Sequence, residues 1–529
     1  MDASTDNLFR RLDRLNDIGA SLSNERHLPR LLEKILLAAK NITHADGGTL
    51  YLVSEDKRHL HFEIVRNDTL KVAFGGTSGQ PISDKFQDLP LYKEDGAPNN
   101  SMVAAYAALT GETVHIADAY VAKGFDFSGT SRFDQNTGYR SKSFLTVPMK
   151  NHEGEIIGVL QLINAIDQET GEVVVFSMAD QRLAESLASQ AAVALTNRQL
   201  IAQMEELFES FIKLINLAID EKSPYTGGHC QRVPEITMML AEAVNETKEG
   251  PLADFHLTDK DRYELKIAAL LHDCGKVTTP VHVVDKATKL QTLFDRIGLI
   301  DTRFEVLKRD AEIEMWRAIG EGLPPPLAEE NWRKRLGQIQ ADREFLRHVN
   351  IGGERMRDED VERVHRIAGA YRWVNAEGVE APFLDDNEVE NLTIRAGTLT
   401  AKEREIINYH IVATIKMLEQ LPWPKHLKNV PEYAGGHHER MDGKGYPRGL
   451  TRDQMSVQAR MMGIADIFEA LTAKDRPYKE AMKLSQALAI MENFKNTGHI
   501  DPDLYDVFVR SAVFRTYAER FLSPQQNDV

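Results

Sequence analysis

The chain has 529 residues, with 64 Lys and Arg against 80 Asp and Glu, a formal charge of −16 at pH 7. So acidic a surface argues against broad binding to duplex nucleic acid or anionic lipid, while leaving room for a local basic pocket. Two cysteines, Cys230 and Cys274, cannot build a disulfide framework, and no uninterrupted apolar run approaches the ~18 residues of a membrane span. The expected setting is the cytoplasm, with neither a membrane nor a nucleic-acid polymer as partner.

The length suggests about three to four domains. Residues 7–43 read as amphipathic helix, with Leu8, Leu12, Leu15 and Ile18 at helical spacing. Strand-like segments follow at 47–55, 59–67, 143–151 and 155–165, and "NHEG" (151–154) is a hairpin turn signal between the last two. Helical pattern returns from about Ala179, so the first block is α+β with flanking helices. Residues 183–218 then alternate steps of four and three through Leu183, Leu187, Gln190, Ala194, Asn197, Ile201, Met204, Phe208, Phe211, Ile215 and Ala218. This heptad seam predicts a parallel coiled coil and a homodimer through the connecting helix, its register fixed by the polar Gln190 and Asn197. From about 220 onward the pattern is almost wholly helical, and 290–398 is charge-dense.

"LLHDCGKV" (270–277) ends an apolar run on His272 and Asp273. Leu265, Ala268, Ala269, His272 and Lys276 share one helical face, which turns the pair inward. A buried carboxylate without a partner costs several kcal/mol; it needs a cation, and a metal is the most compact one. A His–Asp hydrogen bond is the alternative for this pair alone. Yet His229, His410, His437, His438 and Asp466 recur in apolar or Gly-rich settings of the same block. Such nitrogen and oxygen donors suit Fe, Mn or Zn. "DIFE" (466–469) also reads as a capping box, although the apolar residues before it argue against a helix start there.

These residues resemble a family. His272-Asp273 is similar to the signature of the HD superfamily of metal-dependent phosphohydrolases. "HHERMDGKGYP" (437–447), "IADIFEAL" and "DRPYK" match the HD-GYP variant in order. The resemblance implies hydrolysis of cyclic di-GMP to pGpG and GMP at two divalent metal ions, Fe or Mn first. One would be held by His229, His272, Asp273 and Asp466. The other would take His410, His437 and His438, with Asp273 bridging. It further implies that Lys276, Arg476 and Lys479 meet substrate phosphates and that Gly445 and Tyr446 shape the loop beside the site, with Asp273 and Lys276 closest to the chemistry. Trinuclear members carry a glutamate where this chain has Tyr225, which points to two metals rather than three. Rival readings are another cyclic dinucleotide, such as cyclic GMP-AMP, or a silent receptor or scaffold.

The first block has its own resemblance. "FDQNTGYRSKSFLTVPM" (133–149) looks like GAF domains of cyclic nucleotide phosphodiesterases and adenylate cyclases. Their Asn-Lys, Phe, Asp-Glu motif corresponds here to Asn164-Ala165, Phe176 and Asp180-Gln181, with Lys and Glu replaced. It implies a brace for the fold, and a cyclic mononucleotide as the first candidate ligand. The expected chain is multidomain: an α+β GAF sensor with antiparallel sheet (1–182), a long connecting helix (183–220), and an all-α HD-GYP domain (221–515) with a helical insertion at about 290–398.

Overall fold

A computed structural model describes residues 15–22, 24–25, 27–83, 86–222, 228–353, 355–473 and 482–529. They form two compact units, divided in sequence between Leu207 and Phe208.

In the first unit residues 15–22 are helical, and helix α1 (Leu28–Thr43) starts afresh from an extended His27 with Pro29 in its first turn. The single helix expected over 7–43 is therefore broken before Leu28, because proline is tolerated only where its missing N–H has no helical partner. The part before residue 15 lies outside the described residues.

An antiparallel sheet follows: β1 (Ala45–Val53), β2 (His59–Asn67), β3 (Val72–Phe74), β4 (Leu89–Pro90), β5 (Val114–Ile116), β6 (Phe144–Lys150), β7 (Ile156–Ile166) and β8 (Val173–Val174). Its order is β3-β2-β1-β7-β6-β5, with β4 on β2 and β8 on β7. Successive side chains point to opposite faces. Leu50 and Leu160 thus pack with Ile35 and Leu36 of α1 and with Leu187 and Leu195, while Tyr51 and Val159 join the alanine-rich helical residues 103–110 on the other face. That second face lines a cavity of 1050 Å³ walled by Tyr51, Phe62, Phe74 and Phe144.

The motif residues brace this fold. Asn164 sits at a positive φ of 57°. Its Oδ1 accepts from the backbone of Lys142 at 2.7 Å, and its Nδ2 donates to Tyr139 Oη at 2.9 Å. Phe176 is buried in the core, and Asp180 accepts from Ser177 to cap the next helix.

That helix, α2 (Met178–Lys222), is continuous over 45 residues. Its surface departs from the expected seam at some positions. Leu183 and Leu187 are buried in the first unit's own core, and Phe208 lies edge-on to Trp423 in the second unit. The expected seam's Ile201 and Ile215 are 49% and 40% exposed, and an exposed apolar stripe runs through Val193, Leu200, Met204, Leu207, Phe211 and Leu214, each between 45% and 70% exposed. With Asn197 between Val193 and Leu200, the stripe also steps by four and three.

The second unit is built on α3 (His229–Asn245), α4 (Asp259–Leu271), α5 (Ile297–Gly320), α6 (Pro325–Asn350), α7 (Ala401–Glu419), α8 (Val430–Gly435) and α9 (Val457–Thr472). Thr258 and Asp261 form a capping box at the start of α4. Val233, Ile236, Leu240, Leu265, Ala268, Met461, Ala465 and Phe468 share one core, which fixes α3, α4 and α9 against each other. The inserted helices carry a core of their own, made by Phe304, Leu307, Ile339, Leu346 and Phe383. The insertion also holds a hairpin, β9 (Arg372–Val374) with β10 (Glu380–Pro382), that the helical reading missed. Lys286 ties it to α7 through Glu403 at 2.7 Å and to Asn391 at 2.7 Å.

Candidate metal centre

Five elements of the second unit converge. His229 is the first residue of α3. Helix α4 ends at Leu271, and Asp273 (φ −108°, ψ 11°) leads into a tighter 3₁₀ turn, Cys274–Thr278. The sequence reading carried the α-helix on through Lys276. The chain turns instead because Gly275 closes on α7, its N–H donating to Thr414 Oγ1 at 2.9 Å. His410 comes from the middle of α7, His437 and His438 follow α8, and Asp466 lies inside α9. That helix is capped by Ser456, so Asp466 caps nothing and its carboxylate is free for the site.

The donor atoms of His229, His272 and Asp273 lie within 4.8 Å of one another, as do those of His410, His437 and His438. Asp273 stands between the groups. Its Oδ2 is 3.1 Å from His229 Nε2 and 3.3 Å from His272 Nε2, and its Oδ1 is 3.3 Å from His410 Nε2. Asp466 Oδ1 joins the first group, 3.3 Å from His229 Nε2 and 3.9 Å from His272 Nε2.

The rings are held from behind. Nδ1 of His272, His410 and His437 donates to the carbonyl three residues earlier, on Ala269 at 2.7 Å, Ile407 at 2.5 Å and Ala434 at 2.6 Å. A neutral imidazole with a proton on Nδ1 turns a bare lone pair on Nε2 to the front. His229 Nδ1 is bonded to the buried Glu469, whose other oxygen accepts from Arg232 Nε at 2.7 Å.

The arrangement calls for positive charge. His229 and His272 face each other Nε2 to Nε2 at 3.3 Å, and His410 and His438 do so at 3.1 Å; two lone pairs that close need a proton or a cation between them. Asp273 Oδ1 and His437 Nε2 are buried without a hydrogen-bond partner, a costly state in a low dielectric. Burial disfavours a charged His229, yet hydrogen bonds to Asp273, Asp466 and Glu469 outweigh it and hold the imidazole well above its usual range. Burial likewise opposes ionisation of Asp273, but Lys276 and the neighbouring imidazoles keep it well below the carboxylate range. Burial pushes His438 down to about 4, leaving a neutral donor. The residues therefore fit divalent cations, one at His229, His272, Asp273 and Asp466 and one at His410, His437 and His438.

Lys276 Nζ lies 2.6 Å from Asp273 Oδ2, the oxygen that also faces His229 and His272. Tyr446 stacks on His438, ring centroids 4.8 Å apart. Gly445 lets its loop press onto the backbone of Glu439 and Arg440, where a β-carbon would come within 2.6 Å, and Glu439 fastens that loop by accepting from the N–H groups of Arg448 and Leu450. Arg476, Lys479 and Tyr225 lie outside the described residues. Sequence reasoning missed Glu469 and Arg232 in the site. The available signal was spacing: Glu469 follows Asp466 by three, the same face of α9.

Known proteins resemble the chain in the same two parts. A GAF domain model matches residues 27–195, and HD domain models match 226–330 and 386–504. A 3'3'-cGAMP-specific phosphodiesterase of Vibrio cholerae is 25% identical over 318 residues, 60% of this chain and 42% of that protein. A cyclic di-GMP phosphodiesterase of Pseudomonas aeruginosa is 43% identical over 145 residues, 27% of this chain and 32% of that protein. The chain thus spans less than half the length of either relative. Among solved structures, the GAF domain of an Acinetobacter phosphoenolpyruvate-protein phosphotransferase is 15% identical, covering 37% of this chain and 98% of its own, with a TM-score of 0.27. An HD domain implies bound divalent metal, which the clustered imidazoles and carboxylates match. The chain is thus similar to GAF domains in its first part and to HD domains in its second, with the inserted helices lying between α4 and α7.

Proposed function

We propose that this chain is a metal-dependent phosphodiesterase that opens cyclic di-GMP to pGpG and on to GMP, under control of its GAF domain. The single observation behind the reading is the carboxylate of Asp273, turned with one oxygen to each of two groups of imidazoles. Two divalent cations, Fe or Mn first, would be held by the seven donors named above and supply Lewis acidity and a low-pKa water. Asp273 spans the two groups and fixes their separation. The carbonyls of Ala269, Ile407 and Ala434 keep three rings in the ligating tautomer, so no reorientation is needed when the diester arrives. Lys276 offers its ammonium to a phosphate oxygen, and Arg476 and Lys479 hold the remaining phosphate. Gly445 and Tyr446 shape the wall beside His438.

Cyclic GMP-AMP is the second reading, favoured by a relative named for that substrate that matches 60% of this chain. A silent receptor is disfavoured, since it has no need of a full donor set. The sensor cavity, with its aromatic walls, takes a cyclic mononucleotide as first candidate. The exposed stripe of α2 supports a homodimer through the connecting helix, with Asn197 setting register. The enzyme is further read as cytoplasmic and organised as 1–182, 183–220 and 221–515; among the described residues no helix is long and apolar enough to cross a membrane. Turnover of cyclic di-GMP and cyclic GMP-AMP by the Mn- or Fe-loaded chain, with and without cAMP or cGMP, tests the reading; a chain that binds metal and hydrolyses neither dinucleotide contradicts it.

A further inference from the structure

A cavity of 430 Å³ adjoins the candidate metal centre, with His437, His438 and Asp466 in its lining. That volume is within the ~300–1,000 Å³ range of small-molecule sites. Its lining includes an apolar part, Ile467, Ala470 and Leu471 along α9, together with Arg440 and His499. Arg440 is pinned there. Its Nε and Nη2 donate to the two oxygens of Asp442 at 3.1 and 2.8 Å. Asp442 is itself held, its N–H donating to Gly498 O at 3.0 Å. The Nε edge of the guanidinium is thereby used, while Nη1 has no hydrogen bond among the described residues, and Arg440 lines the cavity. His499 lies against Phe494 at 4.5 Å, and burial and Arg440 keep it below its usual range and hence neutral.

We propose that this cavity is a purine-base subsite and that Arg440 selects guanine in it. The inference rests on the phosphodiesterase reading above, because the base is that of the nucleotide whose phosphate lies on the cluster. An apolar lining suits a planar base and wastes a phosphate. The remaining described cation lining the cavity, Lys444, has a side chain 77% exposed, so it does not close a second phosphate cage. Guanine offers O6 and N7, two acceptors that match the end fork of arginine; adenine puts its N6 amino group, a donor, where O6 would be. His499, neutral, can donate to or accept from the same base. A fork held rigid by Asp442 loses little freedom on binding.

The test compares cyclic di-GMP, cyclic di-AMP and the base-free diester bis(p-nitrophenyl) phosphate with full-length, Mn-loaded wild type, Arg440→Ala and Arg440→Lys. Wild type should favour cyclic di-GMP over cyclic di-AMP by about ten- to a hundredfold in kcat/KM. Both variants should bring that ratio close to one, chiefly through KM for cyclic di-GMP, since lysine restores charge without the fork. The loss on cyclic di-GMP should exceed any loss on the base-free diester at least tenfold. Equal losses on all three substrates, or an unchanged ratio in an active variant, overturn the subsite while leaving the phosphodiesterase reading intact. A wild type that cleaves the base-free diester and neither dinucleotide overturns both.

Discussion

The carbonyl oxygen of His410 lies 2.0 Å from where a β-carbon on Gly275 would stand. Only a residue without that carbon lets the turn after Asp273 close on α7, and the closure puts Asp273 Oδ1 3.3 Å from His410 Nε2. A methyl group there meets backbone that cannot swing aside, so overpacking should cost ~1–3 kcal/mol or more. Gly275→Ala is therefore expected to separate the two halves of the site. Metal analysis should find about one equivalent lost, and turnover should fall at least tenfold while far-ultraviolet circular dichroism stays helical. A Gly275→Ala protein with two metals and full turnover would show that the close approach is immaterial.

Glu469 acts on the centre through His229. Its carboxylate holds Nδ1 of that ring, and Arg232 holds the carboxylate. Partners behind a ligating histidine typically change metal affinity ~10–100-fold. Glu469→Gln removes the charge and keeps the shape, so it should weaken one of two metal equivalents by that factor in a chelator competition. Two unchanged affinities would make the Arg232–Glu469 pair a packing feature only.

Lys289 is 3% exposed, and its ammonium reaches Leu392 O at 3.1 Å and Met356 Sδ at 3.3 Å. Burial pushes it down to about 8 from an ordinary 10.5, with Asp360 opposing in part. Because the folded value is the lower one, the unfolded chain binds more protons between about pH 8 and 10.5. The burden on stability is thus full below about 8 and fades as pH rises through that window. It is on the order of 3 kcal/mol. Lys289→Met should raise the thermal midpoint at neutral pH, with the gain shrinking toward about pH 10. A gain that stays constant with pH would mean that packing, not charge, is responsible.

What could be seen in the chain beforehand followed from local rules. Alternating apolar residues located β1, β2, β6 and β7 to within about two residues, because each strand has one face on each core. The seven residues that converge at the candidate centre were visible as acids and imidazoles in apolar surroundings. For Glu469 only the three-residue spacing from Asp466 pointed to the site, and its partner His229 is 240 residues away. The end of α4 at Leu271 was hidden, being imposed by Thr414 on a distant helix. Leu183 and Leu187 looked like seam residues because a core face and a coiled-coil seam share the same three–four spacing. The core of the insertion joins Phe304 to Phe383, a pairing no local pattern encodes.

The shared carboxylate is tested most directly by His272→Ala/Asp273→Ala in the full-length chain, with metal content and cyclic di-GMP turnover measured on the same sample. Wild type should carry two divalent ions and yield pGpG or GMP. The double variant should lose metal and product together, by about a thousandfold or more in rate. Turnover surviving in the variant at the wild-type rate would contradict the account.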